Sequence, residues 1–172
     1  MSQKIAIFLC NGADNCSNRF IYEGVKTCRA SEMFFTGPKA CSSSCLGFGD
    51  CVSSCSKGAI LHYENKMPEI DINRCDGCGE CISSCPKKII SLISRRKNVV
   101  IRCLSIEKSN YIRQICKNGC ISCGICAKVC PSGTIVIDST VARIDLERCD
   151  LCGLCIEKCP TNSISRVITS EL

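Results

Sequence analysis

Tryptophan is absent, aromatic residues make up only 5% of the 172 residues, and histidine occurs once. So few large side chains leave little to bury, and a chain of this length, one ordinary domain or two small ones, needs some other source of stability. The single His62 falls in a strand-like run and reads as structural, which excludes a Cys–His catalytic arrangement. No apolar run approaches the ~18 residues of a membrane span; Ile89–Ile93 and Val99–Ile101 are strand-sized. The first ten residues hold one lysine and too short an apolar stretch for a secretory leader. Neither a dinucleotide fingerprint nor a Walker loop occurs, and Leu46-Gly-Phe-Gly49 is too short to cradle phosphate.

Cysteine is in excess, with 21 residues. An odd total, clustered Cys-x2-Cys pairs and the lack of a leader point to metal sites in a reducing compartment rather than to disulfides. Cys75-x2-Cys78-x2-Cys81-x3-Cys85-Pro86 recurs as Cys120, Cys123, Cys126, Cys130-Pro131 and as Cys149, Cys152, Cys155, Cys159-Pro160, and a looser run, Cys41-x3-Cys45-x5-Cys51-x3-Cys55, precedes them. Structural zinc draws two ligands from each of two separated knuckles. Three cysteines at intervals of three with a fourth four later suit instead a cubane face plus a ligand for a neighbouring cluster, the bacterial iron–sulfur run. Four runs make two pairs and four [4Fe–4S] clusters.

Swapped pairing predicts the ligand sets. Cys41, Cys45, Cys51 and Cys85 hold the first cluster; Cys75, Cys78, Cys81 and Cys55 the second. Cys120, Cys123, Cys126 and Cys159 hold the third; Cys149, Cys152, Cys155 and Cys130 the fourth. With four thiolates each, no iron is left open for substrate, so the pattern favours a single-electron carrier over a catalyst in its own right. Five cysteines remain. Cys103 reads as a small buried hydrophobe, whereas Cys10, Cys16 and Cys28, in a polar Gly/Asn-rich stretch, are candidates for a fifth iron–sulfur cluster completed by Cys103 or Cys116.

The expected fold class is α+β: two tandem bacterial-type ferredoxin domains, each with two [4Fe–4S] clusters, behind a short N-terminal cysteine segment. The boundaries expected from the runs are 1–39 for that segment, 40–94 for the first domain, 95–117 for a basic linker and 118–169 for the second domain. In each domain two runs flank a hairpin: Ala59–Glu64 and Glu69–Ile72 about a turn at Asn65-Lys66, then Thr134–Asp138 and Val141–Asp145 about Ser139-Thr140. Within a run, the first three cysteines are expected on a glycine-containing loop and the fourth on a short helical turn that proline stops. Binding free energy of the clusters becomes folding free energy, so the apo chain is expected to be largely disordered.

The formal charge of +6 misleads. Each cluster with four thiolates adds about −2, which takes the loaded protein to roughly −2 and removes the case for nucleic acid. The positive charge is local: residues 86–118 carry nine Lys and Arg against Glu107 alone. Ser91–Ile101 reads as β-rich, a strand pair on which these charges form either a solvated surface or a docking surface for an acidic electron carrier.

Tyr22-Glu-Gly-Val-Lys-Thr-Cys-Arg-Ala30, Gly37-Pro-Lys-Ala-Cys-Ser-Ser-Ser-Cys-Leu-Gly-Phe-Gly-Asp-Cys51 and Cys116-Lys-Asn-Gly-Cys-Ile-Ser-Cys-Gly-Ile-Cys126 resemble the B subunit of the Rnf electron-transport complex. The resemblance covers roughly residues 5–165. It implies an iron–sulfur relay that takes low-potential electrons from a donor ferredoxin and passes them towards a flavoprotein or NAD-handling subunit of an ion-moving membrane complex. The family's usual membrane anchor and first cluster domain have no counterpart in this sequence, so the expectation is a cytoplasmic protein, peripheral to a membrane complex and without a direct membrane span. Two rival readings are a polyferredoxin-type subunit of another ferredoxin-linked oxidoreductase and a metal-stabilised interaction module without electron flow.

Overall fold

The computed structural model describes residues 4–62 and 66–167. Its strands form four antiparallel pairs. In the first unit, β1 (Lys4–Phe8) pairs with β4 (Ile90–Ser94) from Lys4↔Ser94 to Phe8↔Ile90. Between them lies the short hairpin of β2 (Ile60–Leu61) and β3 (Glu69–Ile70). The second unit repeats this: β5 (Val99–Ile101) pairs with β8 (Ile164–Arg166) around the hairpin of β6 (Ile135–Asp138) and β7 (Val141–Ile144). Both expected hairpins are present; the end of the expected first strand, Tyr63 and Glu64, and the turn residue Asn65 lie outside the described residues.

The termini of each unit thus meet. Lys4–Phe8, which the sequence assigned to the N-terminal segment, is hydrogen-bonded to the last strand of the first unit, and Val99–Ile101, assigned to the linker, to the last strand of the second. The strand pair expected within Ser91–Ile101 does not form: β4 and β5 lie in different sheets, because each finds its partner in its own unit. Alternation explains why these strands are apolar on both faces. Ala6 and Phe8 face the core of the first unit and Ile5 and Ile7 a second apolar layer; Val99 and Ile101 face the core of the second unit, while Val100 joins Ile5, Ile7, Ile72 and Ile93. That layer joins the two units.

Each cysteine run carries a short helix: α2 (Asp50–Ser53), α3 (Glu80–Ser84), α5 (Ile125–Val129) and α6 (Leu154–Glu157). Gly49, Gly79, Gly124 and Gly153 precede them with φ of 80°, 85°, 76° and 89°, a left-handed turn open to glycine at little cost. The helices hold the third cysteine of each run, Cys51, Cys81, Cys126 and Cys155, and the fourth sits at or just past the helix end rather than on it. Two more helices, α1 (Cys28–Met33) and α4 (Ser109–Ile115), lie outside the runs. Thr27 caps α1 by accepting from Ala30 N–H.

Candidate iron–sulfur sites

Three cavities of nearly equal empty volume, about 350, 330 and 340 Å³, are each lined by four cysteines. The first is walled by Cys28, Cys45, Cys51 and Cys85 with Phe8, Ile89 and Ile90. The second has Cys55, Cys75, Cys78 and Cys81, and the third Cys120, Cys123, Cys126 and Cys159. In each of the last two the fourth sulfur comes from the partner run, the swap that the spacing predicts. For the remaining set, Cys155 lies in the field of Cys149 and Cys152 and packs in one core with Cys130. Among the described residues no three Cys, His, Asp or Glu side chains gather closely enough to hold a single ion. The sulfurs stand around a volume, not a point.

The first cavity differs from expectation in one ligand position. Cys28, grouped by the sequence with Cys10 and Cys16, lines it, and Cys41 does not. Cys28 opens α1, where its N–H donates to Asp50 Oδ1 at 2.7 Å while Arg29 N–H donates to Oδ2 at 3.0 Å. Asp50 in turn neighbours Cys51, so one carboxylate locks the inserted helix against the cysteine run. Cys41 packs instead with Cys16, Ala40 and Ile112, and Cys116 lies against the same cluster. Spacing alone does not find this exchange, because Cys28 reaches the cavity through the fold of the whole 9–40 segment.

Backbone N–H groups point at several sulfurs. Ala59 N–H donates to Cys55 Sγ at 3.3 Å and Ala6 N–H, from β1, to Cys75 Sγ at 3.5 Å. Such bonds favour thiolate and tune a cluster's potential. Burial, aided by neighbouring thiols, pushes Cys51 up to about 12 and Cys81 and Cys155 up to about 11. The thiols of Cys51, Cys81 and Cys155 therefore stay neutral at pH 7, and it takes bound metal to draw off their protons. The four-thiol linings, N–H donors and dry walls fit a cubane cluster.

Exposure is uneven. Cys78, Cys123 and Cys152, the second cysteine of each regular run, are exposed, while Cys45 and Cys51 of the first cavity are buried. Four of the basic residues of 86–118 are held by partners within the fold. Lys87, its side chain 4% exposed, meets Glu32 at 2.6 Å in an ionic contact and donates to Thr36 O and Ser42 O. Arg95 donates to Cys75 O, Lys97 to Glu147 O and Cys149 O, and Arg102 Nε to Phe8 O. Arg95 and Lys97 thus brace two of the cysteine loops. His62, as expected, is structural: its Nε2 lies 2.8 Å from Gly47 O and fixes the loop before α2.

Two 4Fe-4S dicluster domain models match the chain, one over residues 119–163 and one over 74–135. The second straddles the units, pairing the Cys75–Cys85 run with the Cys120–Cys130 run; the runs are alike enough in sequence to exchange, and strand pairing decides which belong together. Two dicluster domains imply two clusters each and four in total. The chain is 35% identical over 148 residues (86% of its length, 44% of the relative's) to the B subunit of the Na(+)-translocating ferredoxin:NAD(+) oxidoreductase complex of Acetobacterium woodii. It is 43% identical over 147 residues (85% and 52%) to the B subunit of the proton-translocating ferredoxin:NAD(+) oxidoreductase complex of Clostridium ljungdahlii. To the B subunit of the ion-translocating oxidoreductase complex of Methanosarcina acetivorans it is 35% identical over 138 residues (80% and 52%). It spans about half the length of these curated relatives. Among the described residues no helix is long and apolar enough to cross a membrane. The resemblance read in Tyr22–Ala30 and Gly37–Cys51 is therefore borne out: the curated relatives of this chain are B subunits of Rnf-type complexes, at 35–43% identity over most of its length.

Proposed function

We propose that the chain is the electron-relay part of an Rnf B-like subunit, moving single low-potential electrons from a donor ferredoxin towards a flavoprotein or NAD-linked subunit of a membrane-associated complex. The observation that carries this is the repetition of one closed site, with three cavities of equal size and four cysteines apiece, strung across two joined units. The ligand sets are Cys28, Cys45, Cys51 and Cys85; Cys55, Cys75, Cys78 and Cys81; Cys120, Cys123, Cys126 and Cys159; and Cys130, Cys149, Cys152 and Cys155. A bound [4Fe–4S] cluster supplies a reversible one-electron store. The protein holds the thiolates, excludes water with Phe8, Ile89 and Ile90 at the first site, and aims N–H donors at sulfur. Four protein ligands leave no position for substrate, so chemistry on NAD belongs to another subunit. The exposed edges at Cys78, Cys123 and Cys152 are where redox partners approach.

Anaerobic redox titration followed by EPR, together with rapid mixing against reduced ferredoxin, tests the reading. Clusters that reduce in the ferredoxin range and fill on mixing support it. Potentials all far above that range, or no transfer on mixing, overturn it.

A further inference from the structure

Ile21, Val25, Met33, Phe34 and Phe35, all large and apolar, are exposed within one short stretch of the segment that precedes the first cysteine run. Phe20 meets Phe34 edge-on at 6.0 Å and Phe34 meets Phe35 at 5.1 Å, so residues 20–21 and 33–35 form one patch beyond the C-terminus of α1. Ile21, Met33 and Phe35 are 87%, 86% and 73% exposed. A lone exposed isoleucine needs no explanation, but apolar side chains gathered in one patch mark a contact surface.

The backbone holds these rings outward against its own preference. Phe35 and Thr36 have φ of 50° and 58°, at the centre of a turn closed by Gly37 N–H donating to Phe34 O at 2.9 Å. Turns with two positive φ angles favour Gly, Asn or Asp, and a β-branched threonine there is an outlier. Two cations at the base impose it: Arg19 Nη2 donates to Phe35 O at 2.7 Å and to Gly37 O at 2.9 Å, and Lys87 Nζ to Thr36 O at 2.6 Å. Strain kept in place by its surroundings, where it thrusts a phenyl ring into solvent, points to a use for that ring. The same bonds indicate what covers it. Phe34 N–H donates to Ser31 O, and the carbonyls of Phe34, Phe35, Thr36 and Gly37 all accept within the chain. A protein partner offers hydrogen bonds of its own to an interface, whereas hydrocarbon admits only backbone whose polar groups are already satisfied. The flanking charge agrees. Arg19, Lys26 and Arg29 are exposed, Glu23 is the one exposed acid of residues 18–36, and Glu32 is paired with Lys87.

We propose that this turn is a peripheral membrane contact: Ile21, Met33, Phe34 and Phe35 enter the interface of a lipid surface, and Lys26 and Arg29 meet its anionic headgroups. The contact is reversible and needs no spanning element. α1 is six residues long, about 9 Å, and Cys28 of the first site stands at its other end. Docking by the turn therefore brings the first cluster site close to the lipid. Which redox partner the clusters serve does not enter, so vesicle binding and redox titration can fail independently.

Flotation of the anaerobically prepared, iron-loaded full chain tests this, with vesicles of phosphatidylcholine alone and of phosphatidylcholine mixed with phosphatidylglycerol at about 3:1. Binding to the mixed vesicles is expected, weaker to pure phosphatidylcholine and weakened by salt. Phe35→Gly is the decisive variant, because glycine takes a positive φ without strain. It should keep its iron content and thermal midpoint yet bind vesicles about tenfold more weakly. Lys26→Gln/Arg29→Gln should lose the preference for anionic lipid. No flotation with either lipid, or equal flotation of wild type and Phe35→Gly, overturns the proposal. So does a wild-type dimer that Phe35→Gly converts to monomer, which would assign the patch to a second copy of the chain.

Discussion

Asp50 sets the position of Cys28 through two charge-assisted hydrogen bonds, from Cys28 N–H and Arg29 N–H. Bonds of this kind contribute about 1.5–3 kcal/mol each. Asp50→Ala should therefore loosen the first site without removing a ligand. In an anaerobic chase with a ferrous chelator, about a quarter of the iron of the four ferredoxin sites is expected to leave in a new fast phase; an unchanged release curve would contradict the placement of Cys28. The lining of the first cavity by Cys28 and not Cys41 also shows where local pattern stops being informative. The regular runs are read directly because their ligands lie within one turn or loop. In the loose first run Cys41 and Cys28 are chemically equal, and only the docking of α1 by Thr27, Asp50 and Lys87 selects between them.

At the scale of elements, the left-handed glycines and the N-terminal strand carry separable effects. A Cβ on Gly124 would meet nothing within 4 Å, whereas one on Gly37 would lie 2.3 Å from Leu46 Cδ2. Gly124→Ala should cost only the backbone penalty, about 1–2 kcal/mol, with full iron content, and Gly37→Ala distinctly more; equal losses in denaturant titrations would show that space is not the deciding factor. β1 touches a cluster site through Ala6 N–H, which points to Cys75 Sγ and away from the β4 ladder. Ala6→Pro removes that donor. If the bond favours the reduced cluster by about 1 kcal/mol, the potential of the second site should fall by about 40 mV, and a titration showing no shift would discount the contact. The two hairpins were legible because alternation and turn residues are adjacent in sequence. The β1–β4 pairing was not: its halves are separated by most of the first unit, and Ile5, Ala6, Ile7 and Phe8, buried on both faces, show no alternation to mark a strand edge.

For the whole molecule, stability comes from two sources that respond to different perturbations. The cores of the two units contain an unusual share of cysteine, with Cys10, Cys45, Cys51 and Cys81 in one and Cys103, Cys120, Cys126 and Cys155 in the other. Stripping the iron removes what gathers those sulfurs, so chelation should abolish most of the far-UV circular dichroism and not merely the visible colour. The layer of Ile5, Ile7, Ile72, Ile93 and Val100 has no such dependence; it is ordinary apolar packing, and with Arg102 reaching Phe8 O and the Cys16–Cys116 bridge it helps bind unit to unit. Val100 is 3% exposed and points into that layer while its neighbours Val99 and Ile101 serve the second core. Burying a valine is worth about 1.5–3 kcal/mol, and an unpaired carboxylate in its place costs several more. Val100→Asp should therefore part the units while sparing their cluster sites. Iron content is expected to hold, the single calorimetric transition to split in two, and the radius of gyration to rise in small-angle scattering. Should the variant stay compact with one transition, the shared layer does not hold the units together.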